Sequence, residues 1–99
     1  MRSLDEIIKE KKLVLVDFYA LWCGSCKTMS FIVEELEKEF EGTVHFIKVN
    51  TDKDRKVVRK YRIKSIPTFI LFKEGKSVWR KTGAMKKSTI SKHIIENID

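Results

Sequence analysis

Apolar positions along the chain follow two periods, and their alternation sets the expected architecture. Residues 13–19, LVLVDFY, form a nearly continuous apolar run of strand length. Such a run suits a strand covered on both faces, as in a parallel or mixed sheet. Beyond it, Met29, Ile32, Val33, Leu36 and Phe40 recur at helical spacing, with Glu34, Glu35, Glu37 and Lys38 between them. That spacing predicts an amphipathic helix of roughly four turns, ended by Gly42. Residues 43–49, TVHFIKV, read as a second strand, and Val57, Val58 and Tyr61 mark a short helix with Lys and Arg on its outer side. After Pro67, TFILF is a third strand, and the turn Lys73-Glu74-Gly75-Lys76 leads into a fourth, SVWRK.

The two ends are helical by the same reasoning. Ser3-Leu4-Asp5-Glu6 fits a capping box, and Leu4, Ile7 and Ile8 supply an apolar stripe. Ile90, Ile94, Ile95 and Ile98 give the last helix its buried face. The order helix, strand, helix, strand, helix, strand, strand, helix implies an α/β fold, a mixed sheet with helices on both faces.

The length of 99 residues, without repeat or linker, makes residues 1–99 a single domain. Four glycines and one proline among 35% charged residues argue against disorder or low complexity. The net charge of +7 favours acidic partners or nucleic acid in general terms and says little about fold. No apolar run approaches the ~20 residues that span a bilayer. The start, MRSLDEIIKEKK, is charged where a secretory leader has its apolar stretch. A soluble, cytoplasmic protein without membrane contact is expected.

The only two cysteines lie in LWCGSCK, residues 21–27. In a reducing compartment a close pair is more often catalytic or metal-binding than structural, and so short a bridge would constrain the unfolded chain little. A closed zinc site needs four ligands, and only His45 and His93 remain, on different elements. No metal is expected, although two chains sharing their cysteine pairs would offer four thiolates.

Placed between a strand and a helix, Cys23 should sit at the helix N-terminus and Cys26 in its first turn, with Cβ atoms ~5–6 Å apart. Unpaired N–H groups and the positive end of the helix dipole lower the pKa of the thiol facing them. Cys23, nearer that end and able to be exposed, is the candidate nucleophile; Cys26, pointing back into the helix, is the candidate resolving thiol. Gly24 lets a substrate backbone approach. Trp22 either shields the thiol and offers a flat contact or simply anchors the loop. Asp17 interrupts an apolar run, so burial should raise its pKa and make it a proton acceptor near neutral pH. The plainer reading is an Asp facing an edge with a surface partner.

VDFYALWCGSCK, then SIPTFILFKEG, then TGAM, resembles the thioredoxin family across nearly the whole chain. The resemblance implies a dithiol–disulfide oxidoreductase that reduces disulfides of protein substrates. It implies no bound cofactor beyond the redox-active pair, which an external NADPH-linked flavoprotein reductase, like thioredoxin reductase, would re-reduce. Asp17 matches the buried aspartate that helps deprotonate the resolving cysteine, and Lys48 matches the lysine paired with it. Ile66-Pro67-Thr68 matches the segment whose proline is cis beside the disulfide, where the backbone of Ile66 would pair with an extended substrate. Gly83 and Ala84 match the small residues completing the apolar surface around Cys23; on their own they read as a connection needing a permissive backbone.

Four departures accompany the match. Ser25 replaces the usual proline between the cysteines and puts a hydroxyl near the sulfurs. Phe31 replaces a helix-kinking proline, Leu21 an acidic residue, and the N-terminal strand is missing, leaving four strands. An oxidant, an isomerase or a partner-specific redox protein therefore stays open. A binding module is the non-enzymatic alternative, since Arg55, Lys56, Arg59, Lys60, Arg62 and Lys64 cluster around the third helix. No recognition motif or aromatic interleaving accompanies them, which argues against nucleic acid. Lys27, Lys64 and Lys86 ring the apolar patch and would favour acidic substrates. A monomer is expected, with the patch at Trp22, Ile66 and Ala84 a place for weak self-association.

Overall fold

The computed structural model describes residues 2–99. Its elements are α1 (Leu4–Glu10), β1 (Leu13–Tyr19), α2 (Gly24–Glu39), β2 (His45–Asn50), α3 (Arg55–Lys60), β3 (Thr68–Lys73), β4 (Lys76–Thr82) and α4 (Lys87–Glu96). The strands form one mixed sheet in the order β2-β1-β3-β4, the α/β architecture expected. β1 runs parallel to β2 and antiparallel to β3, and β4 is antiparallel to β3.

The position of β1 explains its composition. Paired on both edges and covered on both faces, it sends Leu13 and Leu15 to one side and Val14, Val16 and Phe18 to the other. The first side packs Met29, Val33 and Leu36 of α2 with Ile90 and Ile94 of α4; the second packs Ile8 of α1 with Val58 of α3. A strand apolar at all but one position, Asp17, suits this double coverage.

Local signals start and stop the helices. The Ser3 hydroxyl oxygen accepts the Glu6 N–H at 3.2 Å, and the Asp54 carboxylate accepts the Val57 N–H at 3.3 Å. α2 closes with the Phe40 N–H on the Leu36 carbonyl, and Gly42 follows at φ +82°, a left-handed conformation that glycine adopts freely.

Two expectations need correction. The second strand begins at His45, because the N–H groups of Thr43 and Val44 are committed to the Phe40 carbonyl at 2.9 and 3.0 Å. Val44 is buried from that turn, which gave the segment its strand-like look. Ile95 and Ile98 do not belong to the buried face of the last helix, being 58% and 42% exposed. Ile95 is turned about 100° from Ile94, and Ile98 lies beyond the helix end at Glu96. Among the described residues, no helix is long and apolar enough to cross a membrane.

Leu36→Ala, at a fully buried position, should therefore cost about 2–5 kcal/mol. Ile95→Ala should stay within about 0.5 kcal/mol of the parent. Denaturant unfolding midpoints compare the two, and equal losses would show that the end of α4 packs differently.

Candidate functional site

The site begins where β1 leaves the sheet. Ala20 is buried, and its carbonyl accepts the Cys23 N–H at 3.2 Å, turning the chain back toward α2. Cys23 is the N-cap of α2, and its Sγ accepts the Cys26 N–H at 3.1 Å. The two cysteines are joined as a disulfide with Cα atoms 5.2 Å apart. The capping geometry folds the Cys23 sulfur over the helix end, against Ala20, Tyr19 and Ile66. In the disulfide both cysteines are buried, Cys23 at 5% exposure and Cys26 at 7%, so the exposure open to Cys23 at the helix end is not realised here. The hydroxyl of Ser25 lies 3.5 Å from the Cys23 sulfur. Above Gly24 the space is open, with nothing within 4 Å of where a Cβ would stand.

Trp22 unites both of its readings. It is 71% exposed, and its Nε1–H donates to Asp52 Oδ2 at 2.9 Å. Asp52 was not anticipated; the only signal was a turn-forming Asn50-Thr51-Asp52 after the second strand. In that turn Asn50 Oδ1 accepts the Asp52 N–H, while the N–H and hydroxyl of Thr51 both donate to the Tyr19 carbonyl. The end of β1 and the turn after β2 are thereby tied together beside the disulfide.

Behind Cys26 lies a cavity of about 220 Å³, lined also by Asp17 and Lys48. Asp17 is buried, and its Oδ1 has no hydrogen-bond partner among the described residues. Burial pushes its carboxyl up to about 6, with the Lys48 charge pulling it down and the Glu37 charge adding to the rise. Lys48 is the parallel neighbour of Asp17 on β2. The edge-facing alternative for Asp17 is thus excluded by its place on a central strand.

A third segment closes the site. The Ile66–Pro67 bond is cis, and Ile66 packs against the cysteine pair. The Pro67 carbonyl accepts the Gly83 N–H at 2.7 Å, bringing Gly83, at φ +98°, and the exposed Ala84 to the same end of the sheet. The Arg80 guanidinium donates to the carbonyls of Tyr61 and Arg62 at 2.5 and 2.8 Å, holding the connection that leads to Ile66. Sequence reasoning missed this clamp, because an Arg on an edge strand carries no local signal. His45 is exposed on β2, and His93 stacks on Trp79 with ring centroids 4.7 Å apart. Neither approaches the cysteines' role, and no group of three or more potential metal ligands occurs among the described residues.

The family model described as Thioredoxin matches residues 2–96. Thioredoxin 1 of a Nostoc species is 39% identical over 93 residues, 94% of this chain and 87% of that protein. A thioredoxin of Pyropia yezoensis is 42% identical over 87% of this chain and 80% of its own. Among solved structures, Plasmodium falciparum thioredoxin superposes with a TM-score of 0.84 at 40% identity, over 93% of this chain and 88% of that one. A mutant thioredoxin from Halobacterium salinarum gives 0.88 at 27% identity, over 97% and 83%.

Asp17 makes stability depend on pH in a definite direction. Its folded pKa of about 6 exceeds the ordinary 3.8, so between these values the folded chain holds the extra proton. Its stabilising share is complete below pH ~4 and is lost as the pH rises through ~6. Asp17→Asn should therefore gain about 1–3 kcal/mol at pH 8 relative to the parent, with the gain shrinking toward pH 4. Denaturant unfolding at the two pH values reads it, and a gain independent of pH would show that ionisation of Asp17 is not its source.

Proposed function

Since the chain belongs to the thioredoxin family and is a thiol–disulfide oxidoreductase, we propose that it works as a general reductase of protein disulfides, with residues 1–99 as the functional unit. The observation that carries this reading is Cys23 at the N-cap of α2, its sulfur on the Cys26 N–H and Ile66 packed against it. A thiolate on Cys23 keeps that hydrogen bond and faces the positive helix end, both of which favour the ionised form.

Cys23 thiolate attacks one sulfur of the substrate disulfide. A mixed disulfide forms, and the other substrate sulfur leaves as a thiolate that takes up a proton. Asp17, behind Cys26, then accepts the Cys26 thiol proton near its pKa of about 6, with Lys48 stabilising the carboxylate. Cys26 thiolate attacks the Cys23 sulfur, closing the Cys23–Cys26 disulfide and expelling the second substrate thiolate, which takes up the proton that Asp17 holds. Two electrons pass from the pair to the substrate, and the proton on the first substrate thiolate comes from solvent, replacing the one that Cys23 released on ionising. The oxidised pair then needs two electrons from an external reductase of the flavoprotein type.

The surface around the pair suits an extended polypeptide. The backbone of Ile66, beside cis-Pro67, would pair with it as an added strand, Trp22 would supply a flat apolar contact, and Gly24, Gly83 and Ala84 keep the approach low. A monomer in the cytoplasm fits this role. A second reading, as an oxidant or isomerase, is favoured by one observation, the Ser25 hydroxyl 3.5 Å from the Cys23 sulfur. Donation from that hydroxyl would stabilise the thiolate and hence the reduced form, which raises the potential.

With insulin as substrate, Cys23→Ser should reduce turnover to the uncatalysed level. Cys26→Ser should instead accumulate a stable mixed disulfide, visible by mass spectrometry as one substrate chain per protein. If Cys26→Ser turned over normally, the assignment of the resolving thiol would be wrong. A reduction potential near ~−270 mV in a calibrated thiol buffer supports the reductase; ~−180 to −120 mV supports the oxidant or isomerase.

A further inference from the structure

The net charge is not spread over the molecule. Between residues 53 and 64 the chain carries seven basic residues and a single acid, Asp54. That acid is committed to capping α3 through the Val57 N–H. On the opposite side of the cysteines, α2 and its exit carry five glutamates between residues 34 and 41. There Lys87 of α4 is ion-paired with Glu35 and Glu39 at 3.5 and 3.0 Å. Lys27, Lys64 and Lys86, the ring expected from the sequence, all lack an acidic partner among the described residues. Toward α3 the excess is only partly compensated: Lys60 pairs with Asp5 of α1, while Arg55, Lys56, Arg59, Arg62 and Lys64 have no acidic partner among the described residues.

The α3 side borders a groove. A cleft of about 420 Å³ runs from Trp22 and Ile66 to α3, with Val58 and Ile63 at its floor and Arg55 and Lys64 on its walls. Asp52 also lines it, but its carboxylate holds the Trp22 indole N–H. Arg55 donates to the Thr51 carbonyl at 3.3 Å, and neither Arg55 nor Lys64 has an acidic partner among the described residues. The groove therefore sets two cations without an ion-pair partner against the single Asp52 carboxylate, a net positive wall beside an apolar floor that is reached directly from the segment that packs on the disulfide.

We propose that this groove selects substrate disulfides whose cysteine is flanked by acidic residues, with Arg55 and Lys64 as its specificity-determining side chains. The inference rests on the reading above, that Ile66 and Trp22 hold an extended substrate segment over Cys23. A segment so held sends its flanking residues into the groove, where carboxylates meet Arg55 and Lys64 while basic residues meet like charge. Complementary charge acts chiefly on the encounter rate and is screened by salt.

Two synthetic peptides test it, identical except for glutamates or lysines flanking one cysteine, each carrying that cysteine as a mixed disulfide with a chromophoric thiol. Release of the chromophore by reduced protein gives second-order rate constants at ~10 mM and ~150 mM salt, where the Debye length falls from ~30 to ~8 Å. The glutamate peptide should react about tenfold faster at low salt, with the ratio contracting at high salt. Arg55→Glu/Lys64→Glu should abolish or invert that ratio, and Lys64→Glu alone should reduce it. Lys11→Glu/Lys76→Glu, before β1 and at the start of β4, makes the same net change at the opposite end of the sheet and should leave the preference in place. Equal rates for the two peptides with the parent protein, or a preference lost equally in that control variant, would overturn the proposal. Insulin, a protein disulfide, separates the two levels. If the parent protein fails to reduce it, the reductase reading itself fails; if it is reduced while the peptides do not differ, only the charge selection fails.

Discussion

Everything at the candidate site hangs on the pairing of β1 on both of its edges. A strand hydrogen-bonded to β2 on one side and β3 on the other has no free edge, and covered faces leave it no solvent. Its direction then decides where the chemistry lies. β2 and β4 run with it and β3 runs against it, so the ends of β1, β2 and β4 and the start of β3 meet at one end of the sheet. Cys23, the Asn50–Asp52 turn, Pro67 and Gly83 arrive together for that reason alone. The Thr51 contacts to the Tyr19 carbonyl and the Gly83 contact to the Pro67 carbonyl seal this meeting with backbone groups that would otherwise be unpaired.

The same burial creates the one conflict in the core. Asp17 occupies a position where its neighbours on the strand are aliphatic or aromatic, and its Oδ1 finds no partner among the described residues. A neutral group of similar shape would satisfy the packing as well, so stability does not account for a carboxyl there. What the carboxyl has in return is a pKa of about 6 and a cavity shared with Cys26. A group that gains and loses a proton near neutrality, held on a strand paired along both edges, is suited to proton transfer at a fixed place. Local inconsistency with the surrounding core is where function is expected to show.

How far the sequence revealed this depended on the range of each interaction. β1, the heptad-like stripe of α2 and the hairpin of β3 and β4 were legible because periodicity reports burial directly. The start of β2 was not, since Val44 is buried from a turn and an apolar residue there looks like a strand residue. Ile95 and Ile98 misled for the converse reason: isoleucine marks a buried face only where the helix points it inward, and the orientation of α4 is set by α2. At the site, Cys23 as N-cap followed from strand-then-helix order. Its burial did not, because Ile66 and Tyr19 cover it from elements distant in sequence. Asp52 on Trp22 and Arg80 on the Tyr61 and Arg62 carbonyls are contacts across 30 and 19 or 18 positions, beyond any local pattern.

In the proposed function, reactivity and selection fall to different parts of this architecture. The sulfur environment combines backbone features, the Cys26 N–H, the start of α2 and the cis bond before Pro67, with the side chains of Ala20, Tyr19 and Ile66 packed on the pair and the open space above Gly24. Such features depend on the fold and tolerate changes of surface side chain. Charge around the site comes instead from exposed side chains of α3 and its flanks, whose substitution leaves the sheet and the helix cap in place. Only Trp22 spans both, its ring exposed beside the disulfide and its indole N–H fixed on the turn that borders α3. A fold divided in this way can keep one thiol chemistry while its partner preference is rewritten on the surface, because electrostatic encounter and bond exchange are controlled by separate atoms.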